Sequence, residues 1–116
     1  MSSCIFCKIA AGEIPAKKVY EDDEILAFHD IQPQRPVHIL VIPKKHITSL
    51  AHAEAADQPV LGRMLGMAAQ LAGEQGSPDG FRTIINTGRI GNQEVMHLHM
   101  HIVGGTDPVG PMLKPQ

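Results

Sequence analysis

Apolar and polar positions follow three different rhythms along this chain, and each predicts a different element. Val37-His38-Ile39-Leu40-Val41-Ile42 is a nearly continuous apolar run rich in β-branched residues, the pattern of a strand covered on both faces, and Pro43 ends it. Val60, Leu61, Met64, Leu65, Ala68, Leu71 and Ala72 recur at helical spacing and predict one long helix. Asp57 is placed to cap its start, Pro59 sits in its first turn where a missing N–H costs nothing, and Gly76 stands just past its end. His97 to Val103 alternates with a period of two. A strand there puts His97, His99 and His101 on one face and Leu98, Met100 and Ile102 on the other.

Glycine and proline punctuate the rest. Residues 4–11 can form one or two helical turns ended by Gly12. Lys18 to Glu21 and Glu24 to His29 read as short strands around an Asp22-Asp23 turn, and Gln32 to Pro36 is a loop. Ser77 to Gly80 is a turn, Phe81 to Thr87 a strand, and Gly88 to Gln93 a flexible loop. Five strands, mostly in meander order, with one main helix predict an α+β domain built on an antiparallel sheet.

A chain of 116 residues with 43% hydrophobic and 19% charged residues is expected to be a single folded domain, 1–116. Its tail, 107–116, carries Pro108, Pro111 and Pro115 and is expected to be extended. A net charge of −2 argues against gripping a nucleic acid backbone, which needs a basic face. No apolar run approaches the ~20 residues of a membrane span. Met1-Ser-Ser-Cys-Ile-Phe lacks the basic-then-apolar plan of a signal peptide, so no membrane is involved and the cytoplasm is the expected compartment. Two cysteines do not make a disulfide framework. Seven histidines against four aromatic residues are what remains to be explained.

Three imidazoles on one strand face admit a metal site, nucleophilic or acid–base chemistry, or an ordinary polar surface. The preceding loop favours chemistry at phosphorus. Gly88, Gly91 and Asn92 tolerate positive φ, and such loops expose N–H groups that cradle anions. Cys4-Ile-Phe-Cys7 is open to three readings: a redox pair, which would need a preceding strand, two small apolar residues, or half of a tetrahedral zinc site. His46 and His97 are the candidates for the other half. His38, alone in the buried strand, reads by itself as a satisfied core histidine.

Asn86-Thr-Gly88 followed by Gly91-Asn-Gln-Glu-Val-Met-His97-Leu-His99-Met-His101-Ile-Val-Gly-Gly105 resembles the signature of the histidine triad (HIT) nucleotide-binding family, in its Hint branch. Glu13-Ile-Pro-Ala, Phe28-His-Asp-Ile-Gln-Pro33 and Val41-Ile-Pro-Lys-Lys-His46 extend the resemblance over nearly the whole chain without gaps. It implies a HIT-like fold and hydrolysis of purine nucleoside phosphoramidates or related nucleotide conjugates. His99 would attack the α-phosphorus and carry a nucleotidyl intermediate that water releases as the nucleoside monophosphate. His101 and Asn86 would contact phosphate oxygens with the loop at Asn92, Gln93 and Glu94, and His38 would orient the catalytic imidazole. Asp30 would hold the ribose hydroxyls, while Ile5, Phe6, Ile9, Phe28, His29 and Ile31 enclose the base. The resemblance also implies a structural Zn2+ on Cys4, Cys7, His46 and His97, with no position open to water. It further implies a homodimer in which two five-stranded sheets form one of ten strands, and in which Met112 and Leu113 help carry the tail to the partner's site.

Three residues depart from the pattern. Asn92 stands for the second of two glycines, Met96 for an aromatic residue, and Glu94 for a serine that assists the leaving group in some members. An ionised carboxylate aimed inward would repel a phosphate, so that assistance does not carry over to Glu94. The competing functions are a dinucleoside polyphosphate hydrolase of the Fhit type, a non-catalytic zinc-containing nucleotide-binding module, and a metallohydrolase with zinc on all three triad histidines.

Overall fold

The computed structural model describes residues 3–113. Pro115, expected to stiffen the tail, lies outside them. Strands β1 (Lys18–Glu21), β2 (Ile25–His29), β3 (Val37–Pro43), β4 (Arg82–Ile84) and β5 (Met100–Gly104) form one antiparallel sheet in the order β1-β2-β3-β5-β4. Helices are α1 (Ile5–Ala10), α2 (Gln58–Gly66) and α3 (Ala68–Glu74). No helix among the described residues is long and apolar enough to cross a membrane.

The sheet separates two apolar clusters. Ile39 and Val41 of β3 share one with Ile25 and Ala27 of β2, Met100 and Ile102 of β5, and Val60, Met64, Ala68 and Leu71 of α2 and α3. Leu40 and Ile42 share the other with Leu26, Phe28 and the α1 residues Phe6 and Ile9. β3 is buried at all seven positions because a helix covers each of its faces. His38 has the parity of Leu40, so it lies on the α1 face.

The long apolar stripe is two helices. α2 ends at Gly66 and α3 begins at Ala68, with Met67 (φ −90°, ψ −5°) between them; its N–H donates to Arg63 O at 3.0 Å and its carbonyl accepts the Leu71 N–H at 3.1 Å. Asp57 precedes α2, but its side chain makes no cap bond to that helix. Its carboxylate accepts the Glu54 N–H at 2.9 Å and Lys45 Nζ at 2.8 Å, closing a short 3-10 turn (Ala55–Asp57) instead. At the other end Gly76 N–H reaches Gly73 O at 3.3 Å and Ser77 N–H reaches Ala72 O at 2.8 Å, the paired closure of a Schellman motif.

Three strands are shorter than the sequence predicts, β2 by one residue at its start and β4 and β5 by more. β5 begins at Met100, not His97, because Leu98 N–H donates to Ile47 O at 2.7 Å and draws residues 97–99 toward the segment after Pro43. β4 ends at Ile84, opposite His101, since no ladder continues beyond that pair. The alternation survives without the ladder: Leu98, Met100 and Ile102 are buried in the helix-side core.

Ser77 fixes the far end of β5. Its buried hydroxyl donates to Gly80 O at 2.6 Å and accepts the Gly105 N–H at 2.9 Å. A Cβ at Gly104 would overlap Ser77 Oγ and stand 3.0 Å from Ser77 Cβ. Gly104→Ala is therefore expected to cost roughly 1–3 kcal/mol through overpacking and loss of these bonds. Urea unfolding reads this directly, and a wild-type midpoint would show that Ser77 moves aside freely.

Candidate functional site

The C-x-x-C pair opens α1. Cys4 is its N-cap, accepting the Cys7 N–H on Sγ at 3.4 Å. His97 Nδ1 stands 3.4 Å from Cys4 Sγ and 3.5 Å from Cys7 Sγ, and His46 Nδ1 stands 3.3 Å from Cys7 Sγ. A tetrahedron with zinc's bond lengths has S···N edges of roughly 3.6 Å. The protonation pattern fits as well. His97 Nε2 lies 2.8 Å from Pro43 O and donates its proton there, leaving the Nδ1 lone pair aimed at the sulfurs. Burial pushes the His97 pKa down, which favours the neutral form that a ligand needs. The four residues can hold a metal ion.

The next two histidines are fixed by different partners. His99 Nδ1 is 2.8 Å from His97 O and donates to it, so the lone pair is on Nε2. His38 Nδ1 accepts the backbone N–H of Gln34 at 3.0 Å, so its proton is on Nε2, which donates to His101 Nδ1 at 2.9 Å. His101 is left with an N–H on Nε2. The His99 and His101 rings are 5.1 Å apart between centroids. His38 thus contacts His101, and it is the His97 carbonyl that holds His99. Burial pushes the His38 pKa down, and burial, then His99 and His38, push that of His101 down to about 4.

Asp30, His38 and His101 form a second group with metal-ligating atoms close together, Asp30 Oδ2 being 3.4 Å from His38 Nε2. The His38 proton lies on the atom that a metal would need, so these groups form a hydrogen-bonded relay. Asp30 Oδ1 also accepts the Gln32 N–H at 2.8 Å, which makes it the turn residue as well.

A cavity of about 570 Å³ runs from α1 to these rings. Every residue that the resemblance assigns to nucleotide binding lines it except Gln93. Phe6 and Phe28 meet edge to face at 5.8 Å, and Phe6 also stands 5.2 Å from His99 and 5.9 Å from His97. Ile5 and Ile31 are rim residues, 47% and 92% exposed. Ile14, Ala16, Leu40 and Val95 also line the space, and nothing in the sequence marks them, because apolar residues at these positions look like ordinary core.

The loop before the triad is closed from within. Asn92 takes φ 59°, the left-handed conformation that asparagine tolerates. Gly91 must lack a side chain, since a Cβ would stand 2.5 Å from Thr87 O. Gln93 is buried and its amide is spent on the loop, accepting the Gly88 N–H at 2.9 Å and donating to Thr48 O at 2.7 Å and Val95 O at 2.9 Å. Glu94 is exposed at the cavity mouth. His52, without a role in sequence, is exposed and accepts the Ser49 hydroxyl at 2.8 Å.

Comparison with known proteins accounts for this arrangement. The model of the HIT domain matches residues 11–107. Protein HitA of Neisseria gonorrhoeae is 57% identical over 104 residues, spanning 90% of this chain and 97% of that protein. The purine nucleoside phosphoramidase of Escherichia coli K12 is 50% identical over 110 residues, spanning 94% and 92%. Among solved structures, a HIT family hydrolase from Legionella pneumophila Philadelphia 1 superposes with a TM-score of 0.86 at 47% identity, covering 90% of this chain and 95% of that one. A histidine triad protein from Clostridium difficile gives 0.88 at 46%, covering 96% and 97%. With three alternating imidazoles on the α1 face of its sheet, the chain belongs to the histidine triad, or HIT domain, family.

Proposed function

We propose that this HIT-family hydrolase cleaves purine nucleoside phosphoramidates or related nucleotide conjugates through a covalent nucleotidyl intermediate on His99. The observation that carries the reading is the bare Nε2 of His99 beside the N–H of His101. The relationship to a purine nucleoside phosphoramidase supports the substrate class. Asp30 and the apolar cavity take the nucleoside, and Asn86, Asn92 and His101 Nε2–H take the phosphate oxygens. His99 Nε2 then bonds to phosphorus as the P–N bond to the leaving amine breaks, and the amine takes a proton from water, leaving hydroxide. His99 becomes a phosphoimidazolium whose Nδ1–H stays on the His97 carbonyl. Water next attacks phosphorus, the Nε2–P pair returns to the ring, and the proton released neutralises the hydroxide. Phosphoryl centres need positioning and charge relief above all, and both imidazoles are already oriented.

Zinc fits the Cys4, Cys7, His46 and His97 donors, and with four protein ligands it would tie α1 to the triad without opening a position for water. A homodimer belongs to the same reading. β4 is an edge strand of the sheet, so a second copy pairing there would continue the ladder. The described tail follows its own chain, with Val109 O held by Arg35, and Met112 and Leu113 are 64% and 81% exposed.

His99→Ala is expected to lower turnover at least about a thousand-fold while keeping nucleoside monophosphate binding. Mass spectrometry after a rapid quench with an adenosine phosphoramidate should place a nucleotidyl adduct on wild-type His99; an adduct on His97 or His101 refutes the assignment. The pH profile follows from His101. Because its pKa is pushed down to about 4, the acid limb of kcat/KM should lie below the ordinary histidine value near 6.5. Stability has the same sign: the unfolded chain binds the proton first, so this contribution is complete above about 6.5 and is lost as pH falls through about 4. An acid limb at or above 6.5 contradicts this. Metal analysis should find about one zinc per subunit, lowered together with thermal stability by Cys4→Ser or His46→Ala, on a chain that light scattering at micromolar concentration weighs as a dimer. Zinc-free protein from gentle purification, or a monomer mass, removes the respective claim.

A further inference from the structure

Beyond the nucleoside cavity lies a second space of about 420 Å³ that shares His38, His101, Asn86 and Gln34 with it. The two differ in charge. The nucleoside cavity carries the carboxylates of Asp30 and Glu94 and no lysine or arginine. The second is lined by Arg35 and Arg82 and by no carboxylate. Among the described residues neither guanidinium has an acidic partner. Each donates to neutral backbone carbonyls: Arg35 to Val109 at 3.3 Å and Gln34 at 3.1 Å, and Arg82 to Gly110. A guanidinium has five N–H donors, so each keeps donors and a full charge for something else. The imidazoles of His38 and His101 are neutral at pH 7, so the two arginines set the sign of this space. Ile84, Val103, Pro111 and Met112 supply apolar wall between them.

A substrate whose α-phosphate sits against His101 and Asn86, with its nucleoside on the Asp30 side, must direct its other substituent into this second space. We propose that it is the leaving-group subsite, and that Arg35 and Arg82 select leaving groups carrying a second anion, a carboxylate or a phosphate, over neutral or cationic ones. The inference rests on the nucleotidyl-hydrolase reading above. Carboxylate and phosphate both match the planar fork of a guanidinium, so both belong to the class. The volume suits an amino-acid-sized group.

The test is a series of adenosine 5′-phosphoramidates whose amine arms have equal length and end in a carboxylate, a phosphate, a methyl ester or an ammonium. The anionic arms should exceed the ester in kcat/KM by about tenfold, the low end for a charge-assisted hydrogen bond at a half-open site. The ammonium arm should be slowest, and the spread should narrow in high salt. The faster anionic arm tells an acidic amino acid from a phosphorylated leaving group. Arg35→Gln and Arg82→Gln should each shrink the anion-to-ester ratio, and Arg35→Lys should keep most of it. Arg35 is exposed on a loop, so its variants carry the test if loss of Arg82 loosens the tail. Equal rates for anionic and ester arms in the wild type, or an unchanged ratio in Arg35→Gln, overturns the subsite alone. No turnover of any arm overturns the hydrolase reading and the subsite with it.

Discussion

Four imidazoles share the α1 side of this sheet, three of them buried and His101 half-buried against the cavity. Burial pushes the pKa values of His38, His97 and His101 down, toward the neutral form, and a neutral imidazole has one proton to place. The backbone decides where. Pro43 O takes the proton of His97, His97 O takes that of His99, and Gln34 N–H forces the proton of His38 toward His101. These are carbonyls and amides at fixed points of the fold, so chemically identical side chains acquire different exposed atoms. His97 offers Nδ1 to two sulfurs, His99 offers Nε2 to the cavity, and His101 offers an N–H. The difference between the exposed atoms of these rings originates in main-chain geometry.

The two faces of the sheet serve separate ends. The helix side packs α2 and α3 on apolar residues of three strands and supplies most of the core. The other side has only α1, and this leaves room for a cavity. β3 belongs to both, which is why its one polar residue, His38, reaches the site from within the most buried strand.

Much of this was legible in the chain. The unbroken run at 37–42 predicted a strand covered twice, and the period-two histidines predicted which face they share. The apolar stripe predicted helix but could not show the break at Met67, since the stripe continues across it. The start of β5 was hidden because alternation persists where the ladder does not. Which atom each histidine presents was hidden too, because the partners of His97, His99 and His38 are backbone atoms that every residue possesses, and His101 is set in turn by the His38 ring. Gln93 was assigned to the phosphate on resemblance, yet its amide is used up holding the loop. Arg35 and Arg82 are two common cations 47 positions apart, and only the fold brings them to one cavity.

α1 has six residues, about half the length at which an isolated helix holds together in water. It exists only because Phe6 and Ile9 are buried and Cys4 and Cys7 lie against His46 and His97. The sheet has no such dependence, since its ladders and the α2–α3 core lie elsewhere. The amides of residues 5–10 are therefore expected to open to hydrogen exchange and proteases separately from the strands. What opens with that unit is the Phe6 wall of the cavity, so the shape of that space depends on a helix too short to hold itself.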